Sequence, residues 1–209
     1  ATLAGLEPGV SPAQAAVAVL VMVERLKAML DAAGLAALAL LQSAVAAECD
    51  ALWTGSMTAR EAADWRERMT RDGTVEEVKA ATGLGEVECQ RRLAFVTADP
   101  AATVTLRAGL RSGAVSLQRV LRVHDATCDR DPQVADEIAA RVLAPCRDGS
   151  TPSQTLFASR LRRQLARHPV TDPIVARRDA LAARDARGEV LVDGSGEVTI
   201  SGDGQRVAA

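Results

Sequence analysis

Residues 74–97, TVEEVKAATGLGEVECQRRLAFVT, decide how this chain is read: two short helices separated by Gly83-Leu84-Gly85 make a helix-turn-helix pattern. Thr74 and Glu77 fit a capping box, in which the hydroxyl and the carboxylate satisfy free backbone N–H groups at a helix start. Gly83 suits the left-handed residue that ends that helix. Leu84 is then an apolar plug in the turn, and Val87, Cys89, Leu93 and Val96 are expected to bury one face of the second helix. The opposite face carries Glu86, Glu88, Gln90, Arg91 and Arg92. In DNA-binding versions of this motif the second helix enters the major groove, where Gln pairs with adenine and Arg with guanine or phosphate. Glu86 and Glu88 would be repelled by phosphate, and the same pattern also packs helices with no DNA involved.

The rest of the chain punctuates itself into helices. Ser11-Pro12, Asp99-Pro100, Asp131-Pro132, Thr151-Pro152 and Asp172-Pro173 each read as an N-cap followed by a proline at the first helical position, where its fixed φ fits and no hydrogen bond is lost. Two very apolar helices are expected over 12–30 and 35–53, with Gly34 at the break or kink, and Thr58 with Glu61 opens another to about Met69. After the opening motif, helices are expected over 100–109, 116–128, 132–144, 152–168 and 173–187. Beyond Gly188 the period changes: Glu189-Val-Leu-Val and Glu197-Val-Thr-Ile alternate about Asp193-Gly-Ser-Gly, which reads as a β-hairpin. The fold class is therefore mainly α, a multi-helix bundle with two helix-turn-helix-like units and a C-terminal β-hairpin. Three parts are expected, as separate domains or as parts of one: an apolar helical hairpin over 12–57, a helical domain over 58–188, and the β-hairpin with an abrupt end over 189–209.

Composition limits the functions open to it. Aromatic residues make up 2% of the 209, with no Tyr, so the core must be built from Ala, Leu and Val, and little is available for stacking unpaired bases. The net charge of −2 conceals a gradient, with acidic ends and 11 basic against 8 acidic residues between 129 and 188. Only Lys27 and Lys79 among the 25 basic residues are lysines, so the arginine excess reflects a GC-rich coding sequence as readily as a binding role. The cysteines at 49, 89, 128 and 146 lack the spacing of a zinc knuckle. The apolar runs 15–23 and 32–41 are each about half the ~20 residues needed to span a bilayer, and Glu24, Arg25, Lys27 and Asp31 separate them. A cytoplasmic protein without a membrane partner is the expectation.

Residues 106–127, LRAGLRSGAVSLQRVLRVHDAT, give a second helix-turn-helix-like unit, with Ser116 capping a helix that exposes Gln118, Arg119 and Arg122. With the preceding motif, the Thr151-Pro-Ser-Gln-Thr-Leu helix, the Asp172-Pro-Ile-Val-Ala-Arg-Arg run and the closing RGEVLVDGSGEVTISG, this order resembles the actinobacterial domain of unknown function that stands N-terminal to HNH endonuclease domains, in HNH nuclease or repeat-element proteins. The resemblance covers roughly residues 12–202. It implies a parent protein with nuclease activity, and it carries no catalytic residue onto this chain. An HNH site needs a histidine base plus His, Asn or Asp ligands for a divalent metal. The sequence has His124, His168 and no asparagine, and both histidines read as helix C-terminal cations or surface residues. No cofactor is expected here, a divalent metal entering only with a following nuclease domain.

Two functions follow. One is a non-catalytic module that binds or positions double-stranded DNA through Gln90, Arg91, Arg92, Gln118, Arg119 and Arg122, with Arg162 and Arg163 added from the late arginine-rich helix. The other is a helical structural or oligomerisation module, in which the N-terminal helices pair with a second chain and nucleic acid is not touched.

Overall fold

The computed structural model describes residues 11–52, 58–169, 185–190 and 196–201. The chain divides into two compact units, 1–165 and 166–209. The elements described in the first are all helices, and the protein is mainly α.

Helix α1 (Pro12–Leu52) is a single rod of 41 residues, about 60 Å long. Ser11 and Gln14 open it with a reciprocal box: the Gln14 N–H donates to Ser11 Oγ at 3.2 Å and the Ser11 N–H to Gln14 Oε1 at 3.0 Å. The break expected at Gly34 does not occur, so residues 12–52 are no helical hairpin. A mid-helix glycine costs about 1 kcal/mol relative to alanine. That is small beside the burial of Ala28, Leu35 and Leu38 on either side of it. Fusing the two apolar runs also makes α1 long and apolar enough, by length and composition, to cross a membrane, which neither run achieves alone.

Helix α2 (Ala59–Thr82) begins at the Thr58–Glu61 capping box and ends at Gly83, left-handed at φ 70°. It too is longer than expected. Thr74 is not an N-cap: fully buried, it donates its hydroxyl to the Thr70 carbonyl at 2.6 Å inside the continuous helix. Gly73 sits where an added Cβ would meet Val45 Cγ1 of α1 at 3.2 Å. Gly73 therefore marks a close helix crossing inside α2.

Leu84 plugs the turn into α3 (Glu86–Thr97), whose Cys89, Leu93 and Phe95 are buried. Val87, expected inside, is 71% exposed; it lies two residues from Cys89, on the far side of a helix with 3.6 residues per turn. Asp99-Pro100 opens a 3₁₀ turn (Pro100–Ala102) that precedes α4 (Val104–Arg111). Asp136 of a later helix accepts from the Thr105 N–H at 2.7 Å and its hydroxyl at 3.0 Å, supplying α4 with the cap its own sequence lacks. Gly113, at φ 72°, turns the chain into α5 (Leu117–Asp125), with Ser116 at the N-cap in extended backbone. Helix α6 (Pro132–Leu143) is capped by Asp131, which accepts from the Gln133 and Val134 N–H groups. Helix α7 (Gln154–Arg167) starts two residues later than its proline suggests, because Ser153 is the residue whose hydroxyl accepts from the Leu156 N–H.

The core lies where α3, α4, α5, α6 and α7 meet: Phe95, Leu106, Val120, Ile138 and Phe157 are essentially inaccessible. Helix α1 packs across α2, α3, α4 and α5. In the second unit β1 (Asp185–Val190) runs antiparallel to β2 (Gly196–Ser201), with Asp185 opposite Ser201 and Glu189 opposite Glu197. Residues 185–187 are thus strand, not the end of the helix expected over 173–187. The remainder of that helix and residues 193–195 of the expected turn lie outside the described residues.

Candidate nucleic-acid interface

The eight side chains marked by the sequence lie on three helices, and the structure treats them differently. On α3, Gln90 is exposed and donates to Glu86 at 3.1 Å. Arg91 reaches across to α5, where its Nε and Nη2 donate to Asp125 Oδ2 at 2.8 and 2.6 Å, while Nη1 meets Glu88 at 3.3 Å. Arg92 donates to the other oxygen of the same Glu88 at 2.9 Å. The bonds to Asp125 hold Arg91 even more firmly protonated. On α1, burial raises the pKa of Asp31, the charge of Arg92 opposes that shift, and Glu88 adds to it. The arginines of α3 therefore belong to a local network with at least as many carboxylates. Each such partly exposed pair contributes at most about 1 kcal/mol to stability. Together they leave α3 without an arginine directed at an outside polyanion, contrary to the expectation for Arg91 and Arg92.

On α5, Leu117, Val120, Leu121, Val123 and His124 face the core, while Gln118 and Arg122 are exposed. Arg119 is half-buried: its Nη2 donates to the Pro152 carbonyl at 2.7 Å, and its guanidinium lies 5.2 Å from the Phe157 ring centre. Arg122 approaches the same ring at 5.9 Å. The buried stripe of α7, Phe157, Leu161 and Gln164, leaves Arg162 and Arg163 on its solvent side. Arg160 donates to the Ala144 carbonyl at the end of α6. Among the described residues no carboxylate pairs with Arg119, Arg122, Arg160, Arg162 or Arg163. Phe157 gathers Arg119 and Arg122 of α5 over α7, so these two helices bring together several arginines without a carboxylate partner among the described residues.

Two roles were missed in the sequence. Arg107, half-buried, lies 4.9 Å from the Phe95 ring centre, donates to the Phe95 and Val96 carbonyls at 2.9 and 3.1 Å, and meets Thr103 Oγ1 at 2.8 Å. It ties the end of α3 to α4. The only available hint was the i, i+4 pair Thr103–Arg107. His124 is buried, not a surface cation: it stands edge-on to Phe95 with ring centres 5.4 Å apart, and its Nδ1 has no hydrogen-bond partner.

Burial lowers the His124 pKa, Asp125 partly opposes this, and the charge of Arg107 adds to the lowering. The folded state therefore holds neutral His124 where the unfolded chain would take up a proton. Stability from this site is complete above pH ~6.5 and declines as pH falls from there toward the lower folded value. Denaturant midpoints measured between neutral and mildly acidic pH should fall in the parent, with a shallower slope in His124→Gln. Equal slopes would show that another group governs this range.

No cluster of three or more His, Cys, Asp or Glu side chains suited to a metal occurs among the described residues. A cleft of about 460 Å³ between α1, α2 and α3 is lined by Gln42, Arg66, Glu67, Thr70 and Leu93 among others, a set without a nucleophile–base pair. No protein-family model matches the chain, and no match is found among curated proteins or solved structures.

Proposed function

We propose that this chain is a non-catalytic module that binds and positions double-stranded DNA for an HNH-type nuclease segment, with α5 and α7 as its DNA face. The α2–α3 and α4–α5 pairs are read as helix-turn-helix-like units, of which the first has the arginines of its second helix, Arg91 and Arg92, engaged by carboxylates, and the closing hairpin as an accessory element. The carrying observation is the pair of arginines, Arg119 and Arg122, placed over Phe157 on the helix that also exposes Arg162 and Arg163, with no carboxylate among the described residues to neutralise them. Arginine in such a setting holds phosphate in a planar, two-pronged contact. With a net charge of −2, affinity rests on this local patch, so it should be modest and should fall steeply with salt.

The test is duplex binding by fluorescence anisotropy across a salt series. Arg122→Glu with Arg163→Glu should weaken binding by at least ~10-fold and flatten the salt slope by about one unit for each phosphate that is no longer neutralised. Arg92→Ala should leave affinity within ~2-fold. Absence of binding at low salt, or loss through Arg92 with indifference to Arg122 and Arg163, rejects this face.

A second reading, a helical association module without nucleic-acid contact, is favoured by one specific observation. Large apolar side chains of α1, among them Leu20, Met22, Leu26 and Leu30, are about half to three-quarters exposed.

A further inference from the structure

Helix α1 has two apolar faces. The inner one follows a seven-residue repeat through Ala28, Leu35, the half-buried Gln42 and Cys49, the other three being buried against the bundle. The outer one lies opposite and keeps the same period. Its first half carries large side chains, Val19, Met22, Val23, Leu26, Met29 and Leu30, each between 40% and 72% exposed. Its second half is small except for Leu40: Ala33, Ala36, Ala37, Ser43, Ala44 and Ala47, all exposed. Spacings of three and four residues within a seven-residue repeat are those of a coiled-coil seam.

We propose that this outer seam of α1 is the interface with a second copy of the chain, the two α1 helices running antiparallel about a two-fold axis at Ala33. The proposal is independent of the DNA face and gives the association reading its partner and geometry.

The division of the seam into a large and a small half selects that partner and direction. In an antiparallel pair centred on Ala33, Val23 faces Ser43, Leu26 faces Leu40, and Leu30 faces Ala36. The large half of each copy lies over the small half of the other, and facing large and small side chains is how two surfaces interdigitate without voids. A parallel pair would stack large on large at one end and leave a gap at the other. The seam contains no charged side chain, so a self-pairing suffers no like-charge contact, and the one hydroxyl in it is already satisfied, Ser43 Oγ donating to the Ala39 carbonyl at 2.9 Å. Near the axis the surface is low: Gly34 has no neighbour within 4 Å of where a Cβ would stand.

The size also fits. From 19 to 47 the seam runs about 42 Å at the ~10–12 Å width of a helix. Each copy then covers on the order of 500 Å² in projection and more as accessible surface, approaching the ~800 Å² per partner of a standard interface. Glu24, Arg25, Lys27 and Asp31 lie off the seam on the same stretch of helix. A dimer leaves them where they are, whereas a bilayer would have to take them in.

Sedimentation of the full chain over a concentration series should show a monomer–dimer equilibrium. Leu26→Glu with Leu30→Glu should weaken it by at least ~100-fold, because two carboxylates would enter an apolar seam. Both positions are exposed, so the helical circular dichroism and the melt should persist. With Cys128 and Cys146 changed to Ser, Ala33→Cys should crosslink two copies under mild oxidation. Val23→Cys should not, since it would lie about 30 Å from its counterpart. A parent chain that stays monomeric overturns the proposal, as does a dimer indifferent to the two glutamates, which would leave association itself standing on another surface. Crosslinking of Val23→Cys as readily as Ala33→Cys overturns the antiparallel arrangement, and flotation with lipid vesicles that the glutamates abolish assigns the seam to a membrane. Duplex affinity of the glutamate variant is a separate readout, so the DNA reading stands or falls on its own.

Discussion

Gly113→Ala is expected to destabilise the protein by about 3 kcal/mol, from two costs that act together. Gly113 holds φ 72° between α4 and α5, a conformation that costs a residue bearing a Cβ about 1–3 kcal/mol. The added Cβ would also stand 2.8 Å from the Arg25 carbonyl oxygen and 3.1 Å from its Cα, both main-chain atoms of α1. A flexible side chain could swing aside; a helix backbone can give way only by moving α1. For a chain of this size the melting temperature should fall by about 6–12 °C. Gly83→Ala is the control: it shares a positive φ, at 70°, but has open space around the Cβ, so it carries the conformational cost alone. Equal losses at the two positions in denaturant melts would show that the contact with α1 contributes nothing.

Phe157→Ala should be costlier still, about 3–5 kcal/mol, the range for deleting a fully buried phenyl ring and leaving a cavity. The ring belongs to the shared buried core and supports the guanidiniums of Arg119 and Arg122 of α5. Phe157→Leu separates those roles. It retains most of the volume and should lose about 1.5 kcal/mol or less, yet it removes the π face on which the two cations rest. If α5 and α7 form the DNA face, the leucine variant should fold and bind duplex more weakly. Full affinity in that variant would show that Phe157 serves packing alone.

Much of the helical plan could be read in the sequence because it was written in local chemistry. Thr58 with Glu61, Asp131 before Pro132, and Gly83 after Thr82 act within a few residues of themselves, and each marks a real helix end. The misread boundaries were set by partners distant in sequence. Gly34 looks like a break, and the helix from Thr58 reads as ending near Met69, yet α1 and α2 run on through Gly34 and Gly73 because tertiary packing outweighs a propensity penalty of about 1 kcal/mol. Thr74 resembles a cap, but in a continuous helix its hydroxyl turns back to the preceding turn.

The candidate site divided in the same way. Charge and helical period placed Arg91, Arg92, Arg119 and Arg122 near or on the polar faces of their helices. What the period could not convey was that Asp125, 34 positions away, takes up Arg91, or that Phe157 gathers Arg119 and Arg122. His124 was misread for the same reason: only the fold brings Phe95 and Arg107 around it.

The carboxylate that α6 lends to α4 bears on where this chain can be cut. Helix α4 has eight residues and no cap of its own, too short to persist alone in water, and its first turn is completed by Asp136, 31 positions downstream. A fragment ending after α5 would look like a self-contained recognition unit in sequence, yet it would lack the group that closes its first short helix. Minimal fragments for binding work should therefore run through α6, and because Phe157 closes the same core, through α7.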